Sequence, residues 1–166
     1  MINQPLNRDD VYASPPNHDL ISRTKHLNVR RLLDAGAGTG SNLQAIKHLH
    51  PNAFTAAITC SSREAVILDP IVNQTIIADL NQLRTPSDWQ QISLSEGQFD
   101  LIILSHVLEH LQEPDQILAS IRMLLVPGGW VLIALPNICH WRTRLQIARG
   151  QFRYQDAGVL DRSHLR

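Results

Sequence analysis

Short apolar runs recur along the chain at 29–33, 54–59, 74–77, 99–104 and 130–135. Each is of strand length, and several lack polar alternation, the mark of strands buried on both faces. Segments with helical spacing lie between them at 41–50, 62–68, 86–94, 114–125 and 140–149, with a shorter one at 18–26. Within 114–125, Ile117, Leu118, Ile121, Leu124 and Leu125 fall on one stripe, and Pro114 suits a first helical turn. Pro127-Gly128-Gly129 reads as a turn that stops this helix and feeds the next strand. Strand and helix alternating about five times predict an α/β fold of three layers. Its sheet is mostly parallel, with crossover helices on both faces, and ligands bind beyond the carboxyl ends of its strands. Residues 1–17, with Pro5, Pro15 and Pro16, read as an irregular arm, and 18–166 as a single domain.

Composition narrows the function classes. The 166 residues are 43% hydrophobic and 18% charged, those of an ordinary globular domain. Fifteen basic residues balance 15 acidic ones, so net charge gives no reason to expect nucleic acid. Cys60 and Cys139 fit neither a metal-binding spacing nor a disulfide framework, which suits a reducing cytoplasm. Residues 1–10 lack the apolar segment of a signal peptide, and no apolar run reaches membrane-spanning length. The expectation is a cytoplasmic protein without a membrane span.

The candidate chemistry centres on Asp34-Ala-Gly-Ala-Gly-Thr-Gly40, where a buried strand runs into a helix. Glycine at 36, 38 and 40 permits backbone angles and a close approach that a Cβ would block, and leaves main-chain N–H groups facing a ligand. A dinucleotide loop, G-x-G-x-x-G, would place its third glycine at 41, but that residue is Ser41, and the pattern is G-x-G-x-G. Asp34 beside the loop suits a ligand carrying a positive ammonium or sulfonium group better than a pyrophosphate.

Leu33-Asp-Ala-Gly-Ala-Gly-Thr-Gly40 resembles the first motif of class I S-adenosylmethionine-dependent methyltransferases of the type 11 and type 23 kind. Further resemblances follow in order: Ala78-Asp79-Leu80 after the third strand, 99–110 as fourth strand and loop, and Leu125-Val-Pro-Gly-Gly-Trp130 entering the fifth. The resemblance implies S-adenosyl-L-methionine as cofactor and Gly36, Gly38 and Gly40 as the loop beneath its methionine and ribose. It implies Asp79, with Leu80 beside it, at the adenine amino group, and Ser105 and His106 near the sulfur. It also implies two further strands forming a hairpin after the fifth, which this sequence lacks; the fifth strand would then be an apolar edge for the C-terminal segment or a second copy to cover.

One departure stands out. The family usually ends its second strand with Asp or Glu, which grips the ribose hydroxyls, whereas Thr59 stands there. A threonine makes one neutral hydrogen bond, and Glu64 is the nearby substitute. His106-Val-Leu-Glu-His110 fits the zinc-peptidase pattern H-x-x-E-H, but no Glu follows Glu113 to supply a third ligand, and the expectation is no metal.

Segments 137–144 and 158–166 resemble methyltransferases of glycan and cell-surface biosynthesis. Six Arg against two Asp from position 140 onward suit a phosphate or sugar-phosphate on the acceptor. The implied reaction moves a methyl group to a small-molecule or glycan-type acceptor, with His106, His110 and His140 as candidate bases for a hydroxyl. Two alternatives come from other classes. A methyltransferase fold that binds without catalysis is favoured by Thr59; a nicotinamide oxidoreductase is disfavoured by the glycine spacing.

Overall fold

The computed structural model describes residues 11–137 and 139–151. Five strands, β1 Arg31–Ala35, β2 Phe54–Thr59, β3 Gln74–Ile77, β4 Phe99–Ser105 and β5 Leu125–Ala134, form one sheet in the order β3-β2-β1-β4-β5. Every neighbouring pair is parallel. The chain order reverses direction between β1 and β4, and a crevice opens at such a switch beyond the carboxyl ends of the strands.

Among the described residues, six α-helices connect and flank these strands: α1 His18–Thr24, α2 Ser41–Leu49, α3 Ser62–Leu68, α4 Pro86–Gln91, α5 Pro114–Met123 and α6 Trp141–Ala148. Their starts have local causes. The Asn17 side chain accepts from Leu20 N to cap α1, and Thr85 and Asp88 form a reciprocal capping box with Pro86 in the first turn of α4. The two sides of the sheet bury separate cores, because successive strand residues point to opposite faces. Leu33, Ile102 and Leu104 pack with Trp89, Ile117 and Ile121 on one side. Leu32, Leu101 and Ile103 pack with Leu20, Leu43, Ile46 and Leu68 on the other.

Several boundaries depart from expectation, with α1 ending at Thr24, β1 running on to Ala35 and α5 ending at Met123, and three further departures have a visible local cause. β1 begins at Arg31, two residues later than the apolar run, because the Asp100 carboxylate takes the N–H groups of Arg30 and Arg31. α4 ends at Gln91, three residues early, where Ser93 adopts a left-handed φ of 64°. β5 begins at Leu125, so Pro127-Gly128-Gly129 lies inside the strand as an irregularity instead of a turn before it. Phe99 faces Leu125 while Leu101 faces Trp130, and the extra residues bulge out there. The 158–166 segment read from the sequence lies outside the described residues. No described helix is long and apolar enough to cross a membrane.

Candidate cofactor site

The glycine loop leaves β1 at the switch point and is pinned to the end of β2, where Gly36 N and Ala37 N both donate to Ile58 O, at 2.9 and 3.0 Å. Gly36, Gly38 and Gly40 all have positive φ, of 92°, 53° and 81°. Each also lies against a neighbour that a side chain would displace. A Cβ on Gly36 would stand 2.5 Å from Val107, one on Gly40 2.8 Å from Leu68, and one on Gly38 2.6 Å from the Tyr12 carbonyl oxygen. Both the conformation and the space therefore require glycine.

Asp34, one residue before the end of this strand, is 1% exposed, and neither of its carboxylate oxygens has a hydrogen-bond partner. Burial pushes its pKa up to about 7. A partnerless buried carboxylate is costly. Its position directly before the loop suits a positive group brought by a ligand.

At the end of β2, Thr59 meets a carboxylate from the helix that follows. Ser61-Ser-Arg-Glu64 has the spacing of a capping box, in which Glu64 would take the Ser61 N–H. Instead the Thr59 hydroxyl accepts that N–H at 3.0 Å and donates its own hydrogen to Glu64 Oε2. Glu64 is 3% exposed, and its Oε1 accepts from Tyr12 N at 2.7 Å. Thr59 and Glu64 thus present one buried carboxylate beside the glycine loop.

Ala78 N donates to Thr59 O, which sets the end of β3 next to this pair. Asp79 caps a single 3-10 turn at Leu80–Gln82, and its Oδ1 accepts from both the N and Nδ2 of Asn81. Leu80 beside it is buried in the core.

Past Ser105, at the end of β4, His106 has a left-handed φ of 56° and donates its N–H to Ala134 O. A non-glycine residue in that region is strained, and such strain gathers at functional sites. Its imidazole is 53% exposed, with Nδ1 3.4 Å from Glu109. Glu109 is buried, and neither of its oxygens has a hydrogen-bond partner. His110 closes a 3-10 turn at Leu108–His110, so H-x-x-E-H is not on an α-helix. No three metal-ligating side chains cluster among the described residues. His140 caps α6, its Nδ1 accepting from Arg142 N at 3.4 Å.

The structure therefore gathers Asp34, the three glycines, Thr59, Glu64, Asp79, Ser105 and His106 around the carboxyl ends of β1 to β4, and ties His140 to its own helix. Sequence reasoning missed Tyr12 and read Glu109 only as the acid of the H-x-x-E-H pattern. Tyr12 makes its contact across 52 positions of chain, and no local pattern signals it.

A family model described as a methyltransferase domain matches residues 10–165. An uncharacterised protein of Synechococcus is 31% identical over 142 residues, which are 82% of this chain and 31% of that protein. The ubiquinone biosynthesis O-methyltransferase of Chromobacterium violaceum is 22% identical over 132 residues, 75% of this chain and 52% of the enzyme. Among solved structures, the plantazolicin methyltransferase BpumL in complex with SAH superposes with a TM-score of 0.63 at 15% identity, covering 87% of this chain and 55% of that one. The [4+2]-cyclase SpnF superposes with a TM-score of 0.52 at 25% identity, covering 69% of this chain and 42% of that one. The chain spans about half the length of its ubiquinone-biosynthesis relative and about a third of the Synechococcus protein.

Proposed function

Because this chain belongs to the methyltransferase-domain family, whose cofactor is S-adenosylmethionine, we propose that it forms the cofactor-binding part of an enzyme that methylates a small-molecule or glycan-type acceptor. The observation that carries this reading is Asp34, fully buried and without a partner, beneath a loop of three left-handed glycines. A cationic amino-acid end fits that carboxylate, and close backbone approach fits the glycines. The Thr59–Glu64 carboxylate fits the ribose diol, Asp79 the adenine amino group, and Ser105 and His106 the region of the sulfur.

When bound, S-adenosylmethionine supplies an electrophilic methyl group on a good leaving group. The protein's part is then to hold both reactants in line and exclude water. A strong base is optional; for a hydroxyl acceptor, His106 is the candidate, its Nδ1 lying 3.4 Å from the buried Glu109 carboxylate. His110 and His140 are secondary candidates, the latter occupied in capping α6. The exposed Arg142 and Arg144 on α6 support an acceptor bearing phosphate. Cys60 and Cys139, both thiols, support a cytoplasmic setting. Among the described residues β5 is an apolar edge strand, which supports a homodimer.

The direct test is calorimetric titration of the full chain with S-adenosylmethionine and S-adenosylhomocysteine. Binding of about −8 kcal/mol, micromolar in Kd, that is lost in Asp34→Ala and Gly38→Val is the expected result. Absence of binding at millimolar ligand would overturn the reading. A second reading, a related fold used for something other than methyl transfer, is favoured by the likeness to a [4+2]-cyclase. It predicts cofactor binding without methyl transfer to any acceptor.

A further inference from the structure

Residues 11–17 precede α1 without forming helix or strand, yet four hydrogen bonds fix them across the cofactor site. Tyr12 N donates to Glu64 Oε1 at 2.7 Å, and Tyr12 O accepts from Thr39 N, inside the glycine loop, at 3.2 Å. Ser14 O accepts from the Ser41 hydroxyl, and Asn17 N donates to Asn42 Oδ1 at 2.8 Å. The main chain of one residue thus joins the glycine loop to the ribose-side carboxylate. It occupies the space that any side chain at position 38 would need.

We propose that residues 11–14 are a strap of the cofactor site, latched by the Tyr12 main chain between Glu64 and Thr39, and that strap closure and cofactor binding reinforce each other. This rests on the cofactor reading above. The sign of the coupling follows from acceptor capacity. A carboxylate offers about four acceptor positions, and the Tyr12 and Thr59 bonds occupy two on Glu64, so a ribose hydroxyl and the strap can share it.

The strap is also inexpensive to open. Val11 and Tyr12 are 42% and 50% exposed, so opening uncovers little apolar surface and breaks a few hydrogen bonds. Pro15 and Pro16 stiffen the link to α1, whose cap Asn17 fixes the far end, so the segment moves as a short arm about an anchored base. A ligand held against Glu64 and the loop orders both attachment points, which favours the closed arm.

Amide hydrogen exchange in the full chain tests this without any variant. Saturating S-adenosylhomocysteine is expected to slow exchange of the Tyr12 amide about tenfold, the scale of one charge-assisted hydrogen bond. Faster Tyr12 exchange with ligand would mean that the ligand displaces the strap, and unchanged exchange that the two are independent; either result overturns the proposal. Tyr12→Pro removes the latching N–H, and Tyr12→Ala keeps it while deleting the ring. The Kd for S-adenosylhomocysteine should rise about tenfold in the first and by less than about twofold in the second. Equal loss in both variants would assign the effect to the ring and overturn the latch. If wild type gives no binding heat, the cofactor reading fails with the coupling. Unchanged Thr39 exchange in ligand-free Tyr12→Pro would instead overturn the latch alone.

Discussion

Thr59, the last residue of β2, donates its hydroxyl hydrogen to Glu64 in the first turn of α3, so the carboxylate expected on the strand arrives five residues later on a helix. The hydroxyl bridges, accepting the Ser61 N–H on one side and donating to the acid on the other. Thr59→Val removes both bonds and leaves a buried carboxylate oxygen without its donor. The expected cost is about 1.5–3 kcal/mol in urea unfolding, with Thr59→Ser within about 1 kcal/mol of wild type. Thr59→Asp, which restores the family's usual acid, is expected to weaken cofactor binding, because two adjoining buried carboxylates cannot both ionise. Tighter binding in Thr59→Asp would show that Glu64 is not the ribose acid.

The buried Asp34 makes stability depend on pH. Its pKa rises from 3.8 unfolded to about 7 folded, so between those values the folded chain holds a proton that the unfolded chain has lost. Stability from this group is fully present below pH 4 and is lost as pH rises through 7, a swing on the order of 4 kcal/mol. Urea unfolding of the ligand-free protein from pH 5 to 8.5 should show this decline, and Asp34→Asn should flatten it.

Cofactor affinity should run the opposite way. A cationic ligand favours ionised Asp34, so binding is expected to tighten by up to about tenfold per pH unit below pH 7 and to level off above it. Calorimetry in buffers of different ionisation heat should detect proton release on binding near pH 6.5. Proton uptake there would contradict the assignment of Asp34 to the cationic end.

Two glycines separate backbone strain from contact. Gly38 and Gly97 have similar φ, 53° and 62°, but a Cβ at 38 would meet the Tyr12 carbonyl at 2.6 Å, whereas one at 97 meets nothing within 4 Å. Gly97→Ala should cost about 1–2 kcal/mol, the left-handed penalty alone. Gly38→Ala should cost about 1 kcal/mol more and also weaken S-adenosylhomocysteine binding. Equal costs in urea unfolding would mean that residues 11–14 do not rest on the loop.

The sequence made the local features of this site legible and hid the long-range ones. The glycines announce their conformations by spacing, and β2, β3 and α3 have the bounds that the apolar pattern implies. Failures occur where side chains or pairing override punctuation. Asp100 captures the N–H groups that would have started β1 earlier, and pairing with β4 carries β5 through Pro127-Gly128-Gly129. Glu64 sits in a pattern that reads as a helix cap, and only the tertiary placement of Thr59 and Tyr12 gives it another role.

β5 is an edge of the sheet among the described residues, and it is apolar where edges are usually guarded. Trp130, Ile133 and Leu135 are 56%, 44% and 55% exposed, with no charged residue between Leu125 and Leu135 to discourage pairing. Such an edge is a template for another chain. The full 166-residue chain is therefore expected to self-associate in sedimentation velocity between roughly 5 and 100 μM, the range in which modest interfaces form. Ile133→Lys places a charge on the edge and should return the protein to monomer, with S-adenosylhomocysteine affinity measured alongside to check that the neighbouring end of β4 is intact. A wild-type monomer throughout this range would show that the edge is not a self-pairing surface.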